Sequence, residues 1–355
     1  MAIKLTPGNL YFIRDIDYLT GEIGKYVKIG IVTNDRKTED RLKNHQTGNP
    51  RGILPVAEVK NVPFVERLET QLHYEFNEKW ITGEWFLLND KEVKLIVKRA
   101  QDLKANQLRD KPLIEEVILR TQKRISNGKI KKANKNALGL EQRIIQLKGE
   151  VNVLKAQIEI SKFEFYKLLG TNGAIDGVLH IRYSPSTLKF DEKAFEVAHP
   201  AIYKKFTFPR VDAFKHTFNY SNNASYSLKV VNPIVHSDLA AIGKTTYTKS
   251  QLSRTQKRTK KTEQLHAKHL ILLKNFKQRE YELEIAEYQL QKVVGAFEGI
   301  QDICTWKREF VAQMPAFNVT AFREKYPKLY DAFVIKPSSE VFAMDVEKSR
   351  AYKPK

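Results

Sequence analysis

Residues 190–206 and 317–333 of this 355-residue chain align without a gap at an offset of 127. Six pairs are identical: Phe190/Phe317, Ala194/Ala321, Phe195/Phe322, Pro200/Pro327, Tyr203/Tyr330 and Phe206/Phe333. Four of these six are aromatic, more than shared composition gives, so any fold for this chain has to accommodate a duplicated unit. A strand-like run precedes each copy, at residues 177–182 and 303–307, and a long helical stretch precedes each run. In the first stretch Leu140, Ile144, Leu147, Val151, Leu154 and Ile158 recur in alternating steps of four and three, a heptad seam. The second covers residues 262–297, with Leu138 mapping onto Leu265 at the same offset. The module reads as long helix, short strand, then a helix carrying an aromatic–Pro–Tyr motif, twice over. The heptads leave two pairings open: a homodimer through the long helices, or pairing with the chain's own second helix. Phe195, Tyr203, Phe322 and Tyr330 read as helix-packing core.

Charge sets the tail apart. The chain holds 61 Lys+Arg and 41 Asp+Glu, a net of +20. Residues 1–102 account for 16 basic and 15 acidic side chains, leaving 45 and 26, a net of +19, in residues 103–355. Such a surplus suits a polyanion, because basic side chains on nucleic acid release condensed counterions. Two clusters stand out as DNA-binding candidates. One is Lys123, Arg124, Lys129, Lys131, Lys132 and Lys135, with no acid between them; the other is Arg254, Lys257, Arg258, Lys260 and Lys261. An anionic membrane surface would use the same residue types, but the sequence has no basic helix with a Trp/Phe face. No apolar run approaches the ~20 residues of a membrane span, and the start carries no signal-peptide stretch. The single cysteine, Cys304, excludes an internal disulfide framework and a cysteine-rich zinc ribbon, and points to a reducing compartment. The expectation is a globular, cytoplasmic protein with a nucleic-acid partner and no membrane. Charge alone does not separate DNA from RNA.

The first hundred residues read as an α/β unit. Residues 10–13, 26–32, 53–59 and 83–88 are strand-like, and a polar connection with Gly21 and Gly24 joins the first two. Thr38 is placed to cap a short helix running to Gln46, which Thr47-Gly48-Asn49-Pro50 stops. Val65, Leu68, Leu72 and Phe76 recur at helical spacing, and Asp90 is placed to cap a long helix leaving the unit. The expected division is 1–102, a basic helical linker at 103–137, and two DNA-binding tail repeats at 138–250 and 251–355.

Arg41 and His45 are one helical turn apart and face the same way. They set a permanent fork of donors beside a group that exchanges a proton near neutral pH. Glu69 suits a hard cation, and Mg²⁺ (or Mn²⁺) tolerates a single protein carboxylate because it keeps waters and phosphate oxygens. In this order the residues resemble the GIY-YIG nuclease domain, over about residues 8–102. That family's two strand tripeptides correspond to Leu10-Tyr11-Phe12 and Lys28-Ile29-Gly30. Its Arg/His helix corresponds to Arg41 and His45, and its metal-binding glutamate to Glu69. Residues 46–50 and Gly83-Glu84-Trp85-Phe86 resemble a viral and bacterial subgroup with Lys-Ile-Gly as the second tripeptide.

The resemblance implies a small antiparallel sheet flanked by helices, followed here by a mainly helical α+β tail with long coiled-coil-like helices. It implies that Tyr11 orients or deprotonates the attacking water with His45 as proton partner, that Arg41 stabilises the phosphate and that Glu69 holds the metal. Lys28 departs from the commoner tyrosine and is expected to lower the Tyr11 pKa by proximity of charge. The family's late asparagine has no clear equivalent; Glu84 lies in that region, and His73 one turn beyond Glu69, both as candidates to support the site. The tail is weakly similar to C-terminal segments of phage-type recombination exonucleases, best at residues 303–307 and 326–330. The resulting expectation is a metal-dependent DNA endonuclease. The alternatives are an inactive or partner-activated nucleic-acid-binding scaffold and, third, an RNA nuclease.

Overall fold

Alternating apolar residues in the first strands bury one face of a sheet against helices. The computed structural model describes residues 5–34, 37–47, 50–123, 125–209, 214–310, 315–335 and 340–346. In it β1 (Gly8–Ile16) turns through residues 17–22 into β2 (Ile23–Thr33), so the connection is shorter than expected and Gly24 lies within the strand. Helix α1 (Thr38–Gln46) leads to β3 (Gly52–Val62), and α2 (Val65–Glu75) follows. Two three-residue strands, β4 (Trp80–Thr82) and β5 (Trp85–Leu87), form a hairpin. The sequence pattern shows only the second of them. The antiparallel sheet has the order β3-β1-β2-β5-β4. Leu10, Phe12, Val27, Ile29, Leu68, Leu72 and Phe86 form its buried core.

Helix α3 (Asp90–Gln122) covers that core with Val93, Ile96, Ala100 and Leu103. Beyond Pro112 it changes partner, and Ile114 and Val117 join a tail core. Two capping expectations need correction. The cap of α3 is Asn89, whose side chain accepts from the Glu92 amide at 3.0 Å while Glu92 accepts from the Asn89 amide at 2.8 Å. Asp90 instead pairs with Arg14 at 2.8 Å. Thr38 is the first residue of α1 and not its cap; its hydroxyl donates to Glu58 at 2.7 Å.

The tail is built from two copies that exchange strands. The first contributes β6 (Ile130–Lys131), α4 (Lys135–Leu169), β7 (Ala174–Ile175), β8 (Leu179–Ser184), β9 (Lys189–Phe190), α5 (Glu192–Ala198), α6 (Pro200–Phe206), β10 (Thr207–Pro209) and β11 (Phe214–Tyr220). Two short helices, α7 (Leu228–Val231) and α8 (Pro233–Ala241), intervene. The second contributes β12 (Thr255–Gln256), α9 (Lys260–Val294), β13 (Gly299–Ile300), β14 (Cys304–Phe310), β15 (Pro315–Phe317), α10 (Val319–Lys325), α11 (Pro327–Ala332), β16 (Val334–Ile335) and β17 (Val341–Asp345). The two long helices are 35 residues each, from Lys135 and from Lys260, and each is closed by a glycine at positive φ, Gly170 and Gly295. Their offset is therefore 125, not 127, and Leu265 corresponds to Leu140.

Each of the two four-stranded sheets of the tail has a central hairpin from one copy and both edge strands from the other. The orders are β11-β14-β13-β6 and β12-β7-β8-β17. Pairs β6·β13 and β12·β7 are parallel; β11·β14 and β17·β8 are antiparallel. The aromatic motifs repeat this reciprocity. Phe190 stacks on Tyr330 at 5.0 Å and Tyr203 on Phe317 at 4.8 Å, the same pair with copies exchanged, while Phe195 meets its own counterpart Phe322 at 4.5 Å. The Asp191 amide bonds the Phe333 carbonyl at 2.8 Å, and the Asn318 amide bonds that of Phe206 at 2.9 Å. Phe195 and Phe322 are fully buried, as core should be.

Helices α4 and α9 run antiparallel, joined by Arg143–Glu282 at 2.9 Å, Arg279–Glu150 at 2.8 Å and Lys148–Glu287 at 2.9 Å. Ile144 and Leu147 of the heptad seam are buried with Leu290 and Val294 of α9, so this seam pairs within the chain. A homodimer through the long helices would have to use another face. No helix among the described residues is long and apolar enough to cross a membrane.

Phe195→Ala and Phe322→Ala remove equivalent rings, and each is expected to cost about 3–5 kcal/mol in urea unfolding. Because the rings touch, the double variant should cost less than the sum. Strictly additive costs would mean that the copies do not share this core.

Candidate active site

Antiparallel register sets Tyr11 of β1 opposite Gly30 of β2. A Cβ at residue 30 would lie 2.5 Å from the Tyr11 hydroxyl oxygen, so only glycine lets the ring cross the neighbouring strand. The ring is 2 % exposed, and its hydroxyl meets His45 Nε2 at 2.8 Å. The Arg41 guanidinium lies beside the same phenol and favours its ionised form. One tyrosine thus receives both residues that α1 presents on one face.

Helix α1 has no buried residue, so apolar packing does not hold it. Polar tethers do. Glu58 of β3 accepts from Thr38 and, at 3.1 Å, from Asn9 of β1. At the other end the Gln46 side chain donates to the Arg51 carbonyl at 3.0 Å and accepts from the Ile53 amide at 2.9 Å. Asn9, Glu58 and Gln46 position Arg41 and His45, and the sequence reading missed all three in that role. Their partners lie on different strands, and no local pattern announces them.

Lys28 comes from β2 and Glu84 from the turn of the β4–β5 hairpin, which adds to the β2 edge with Trp85 opposite Lys28. The Glu84 carbonyl accepts from the Ile29 amide at 3.0 Å, and its carboxylate pairs with Lys28 at 2.9 Å. Gly83 makes this turn at φ +52°. Glu69, on α2, is the second carboxylate of the group. One of its oxygens is buried with no hydrogen-bond partner. Burial, reinforced by the nearby charge of Glu84 and opposed by Lys28, pushes its pKa up to about 8.

Burial likewise raises Tyr11 to about 12, with Glu84 and Glu69 raising it further and Arg41 opposing. This reverses the expectation for Lys28. Lys28 pairs with Glu84 and its charge acts on His45 and Glu69, while Arg41 is the cation that acts on the phenol. His45 is lowered by burial and by the charges of Lys28 and Arg41, so it is neutral in neutral solution, and the tautomer with its proton on Nδ1 leaves Nε2 as acceptor for the Tyr11 hydroxyl.

The structure thus brings Tyr11, Lys28, Arg41, His45, Glu69 and Glu84 within electrostatic reach of one another. His73 stands behind them. It is buried, bonds the Ile29 carbonyl at 3.1 Å, and packs on Trp80 and Phe86 at 4.9 and 5.1 Å, bracing β2. No cluster of three or more His, Cys, Asp or Glu side chains able to hold a metal occurs among the described residues. What the group offers is one orphaned carboxylate oxygen beside a second carboxylate that is 41 % exposed. That fits a hard divalent cation which keeps most of its ligands as water and phosphate oxygen.

The basic residues lie apart from this group in sequence and are anchored in the tail. Lys123, Lys129, Lys132, Lys135, Arg254, Lys257, Lys260 and Lys261 are exposed. Lys131 donates to the Val293 carbonyl at 2.9 Å, and Arg258 pairs with Glu263 at 3.3 Å. Arg124 lies outside the described residues, as do Gly48 and Asn49.

Residues 8–101 match the model of the T5orf172 domain. This is a GIY-YIG-like, nuclease-associated family, and the matched stretch contains every residue of the group built around Tyr11. The domain is thus nuclease-like or DNA-binding, and the match leaves residues 102–355 uncovered. No curated protein and no solved structure matches the chain.

A carboxyl held near 8 in the folded N-terminal domain, against an ordinary 4.5, favours folding in its protonated form. Its ionisation costs nothing below about pH 4.5, and the penalty grows to full size as pH rises through 8. Glu69→Gln is therefore expected to raise stability at pH 8 by about 4 kcal/mol and to leave it unchanged at pH 4. Thermal melts at the two pH values check this; an equal effect at both would contradict the burial of an ionisable Glu69.

Proposed function

We propose that the T5orf172 domain of this chain is a metal-dependent endonuclease centre that hydrolyses phosphodiester bonds in DNA, and that the basic tail supplies affinity or target selection. The observation that carries this reading is the Tyr11 hydroxyl held between Arg41 and His45 beside the unpartnered oxygen of Glu69. Hydrolysis of a phosphodiester needs an activated water, charge stabilisation at phosphorus and a route for the proton.

In this reading Tyr11 stays protonated until attack, because a pKa of about 12 leaves almost no phenolate at neutral pH. It accepts a proton from the attacking water as it passes its own to neutral His45 Nε2. His45 is thus the final base and Tyr11 the relay. Arg41, beside the phenol, would face the non-bridging oxygens and stabilise their growing charge. Glu69, with Glu84 beside it, would hold Mg²⁺ or Mn²⁺, which supplies charge neutralisation at the phosphate and leaving oxygen. Lys28 stands where a second tyrosine is commoner in GIY-YIG nucleases, and its pairing with Glu84 sets that carboxylate near Glu69. The Lys-Ile-Gly tripeptide supports placing the domain in the subgroup that carries it.

Incubation of supercoiled plasmid with the purified chain and Mg²⁺ or Mn²⁺ is expected to give nicked or linear product. Glu69→Ala should abolish it, and His45→Ala and Arg41→Ala should each slow it by about 10²–10³-fold. Cutting by Glu69→Ala at the parent rate would overturn the mechanism. With the ion at limiting concentration, the rate is expected to rise with pH until about 8, where Glu69 ionises without help.

A further inference from the structure

The strand exchange makes the tail a pseudo-dimer within one chain, and its symmetry has a geometric content. A two-fold that exchanges two antiparallel helices has its axis perpendicular to the plane containing both. Equivalent residues of the two copies therefore lie at the same height relative to that plane, on one side of the helix pair.

The two basic clusters are equivalent in this sense. At the offset of 125, Lys129, Lys132 and Lys135 correspond to Arg254, Lys257 and Lys260. All six are exposed, and none forms an ion pair among the described residues. Each cluster sits at the start of its long helix, where β6 pairs with β13 beside the end of α9 and β12 pairs with β7 beside the end of α4. Antiparallel packing of 35-residue helices puts the clusters at opposite ends of the pair, about 50 Å apart at 1.5 Å per residue.

We propose that the tail takes one DNA duplex lying along the α4–α9 pair, gripped at phosphates by both clusters about 15 base pairs apart. The spacing follows from ~3.4 Å of duplex per base pair. A duplex is stiff over this length, with a persistence length of about 150 base pairs, so both ends are engaged by one rigid rod. DNA has its own two-folds perpendicular to its axis, and the clusters meet equivalent phosphates on opposite strands. The inference rests on DNA being the substrate of the nuclease-like domain, and adds the form of DNA and the way the tail holds it.

The test is binding of fluorescent duplexes of about 10 and about 24 base pairs by the full chain carrying Glu69→Ala, without divalent ion, across a salt series. Two variants are compared: Lys129→Gln/Lys132→Gln/Lys135→Gln and Arg254→Gln/Lys257→Gln/Lys260→Gln. On the long duplex each is expected to reduce the slope of log affinity against log salt by about 2.7, from ~0.9 per phosphate contact. On the short duplex, too short to bridge, neither should change the slope, because the intact cluster serves in place of the lost one. Loss confined to one variant, equal losses on both lengths, or tighter binding of a double-stranded RNA of about 24 base pairs would each overturn the proposal. Lys132→Glu and Lys257→Glu singly give the same pattern at smaller size if a triple variant fails to fold. Cutting is not read here, so failure of the nuclease mechanism leaves these slopes standing.

Discussion

The antiparallel contact between α4 and α9 is the constraint on which the rest of this molecule depends. It aligns the two copies so that their strands exchange and their aromatic motifs meet face to face. It also carries the N-terminal domain: Asn77 donates to the Leu270 carbonyl of α9 at 2.8 Å, and Arg67 pairs with Glu284 at 2.7 Å while lying 3.8 Å over the Tyr281 ring. The nuclease-like domain thus rests on one member of a symmetric pair. Without that pairing neither the sheets of the tail nor the seat of the domain would exist.

The group around Tyr11 is held by different means. Its sheet is fixed by burial, but the helix bearing Arg41 and His45 is fixed by hydrogen bonds to Glu58, Arg51 and Ile53. The consequence is a polar face anchored on a rigid floor. Glu69 is the strained member: buried, beside another carboxylate, and missing a partner for one oxygen. Such an arrangement costs stability whenever Glu69 ionises.

Much of this was legible in the sequence because it is local. Strand alternation around Leu10 and Ile29, helical recurrence at Leu68 and Leu72, and the Arg41/His45 turn each need only neighbours a few residues apart. The order of Tyr11, Lys28, Arg41, His45 and Glu69 was enough to indicate one group. What was not legible depends on distant partners. The sign of the Tyr11 shift turned on burial of the phenol beneath α1, reinforced by Glu84, which reaches the site from a hairpin distant in sequence. The heptad seam at Ile144 and Leu147 left intermolecular and intramolecular pairing open, since its residues suit either. Reciprocal strand exchange between segments as far apart as β6 and β13 leaves no trace in either segment alone.

The exchange also bears on how the polypeptide matures during synthesis. Strand β6 waits for β13, and the hairpin β7–β8 waits for β12 and β17. A nascent chain therefore emerges from the ribosome with the first half of its tail unable to close until most of the second half has followed. The N-terminal sheet has no such debt, since all five of its strands lie before residue 88. Maturation is vectorial for one part and postponed for the other.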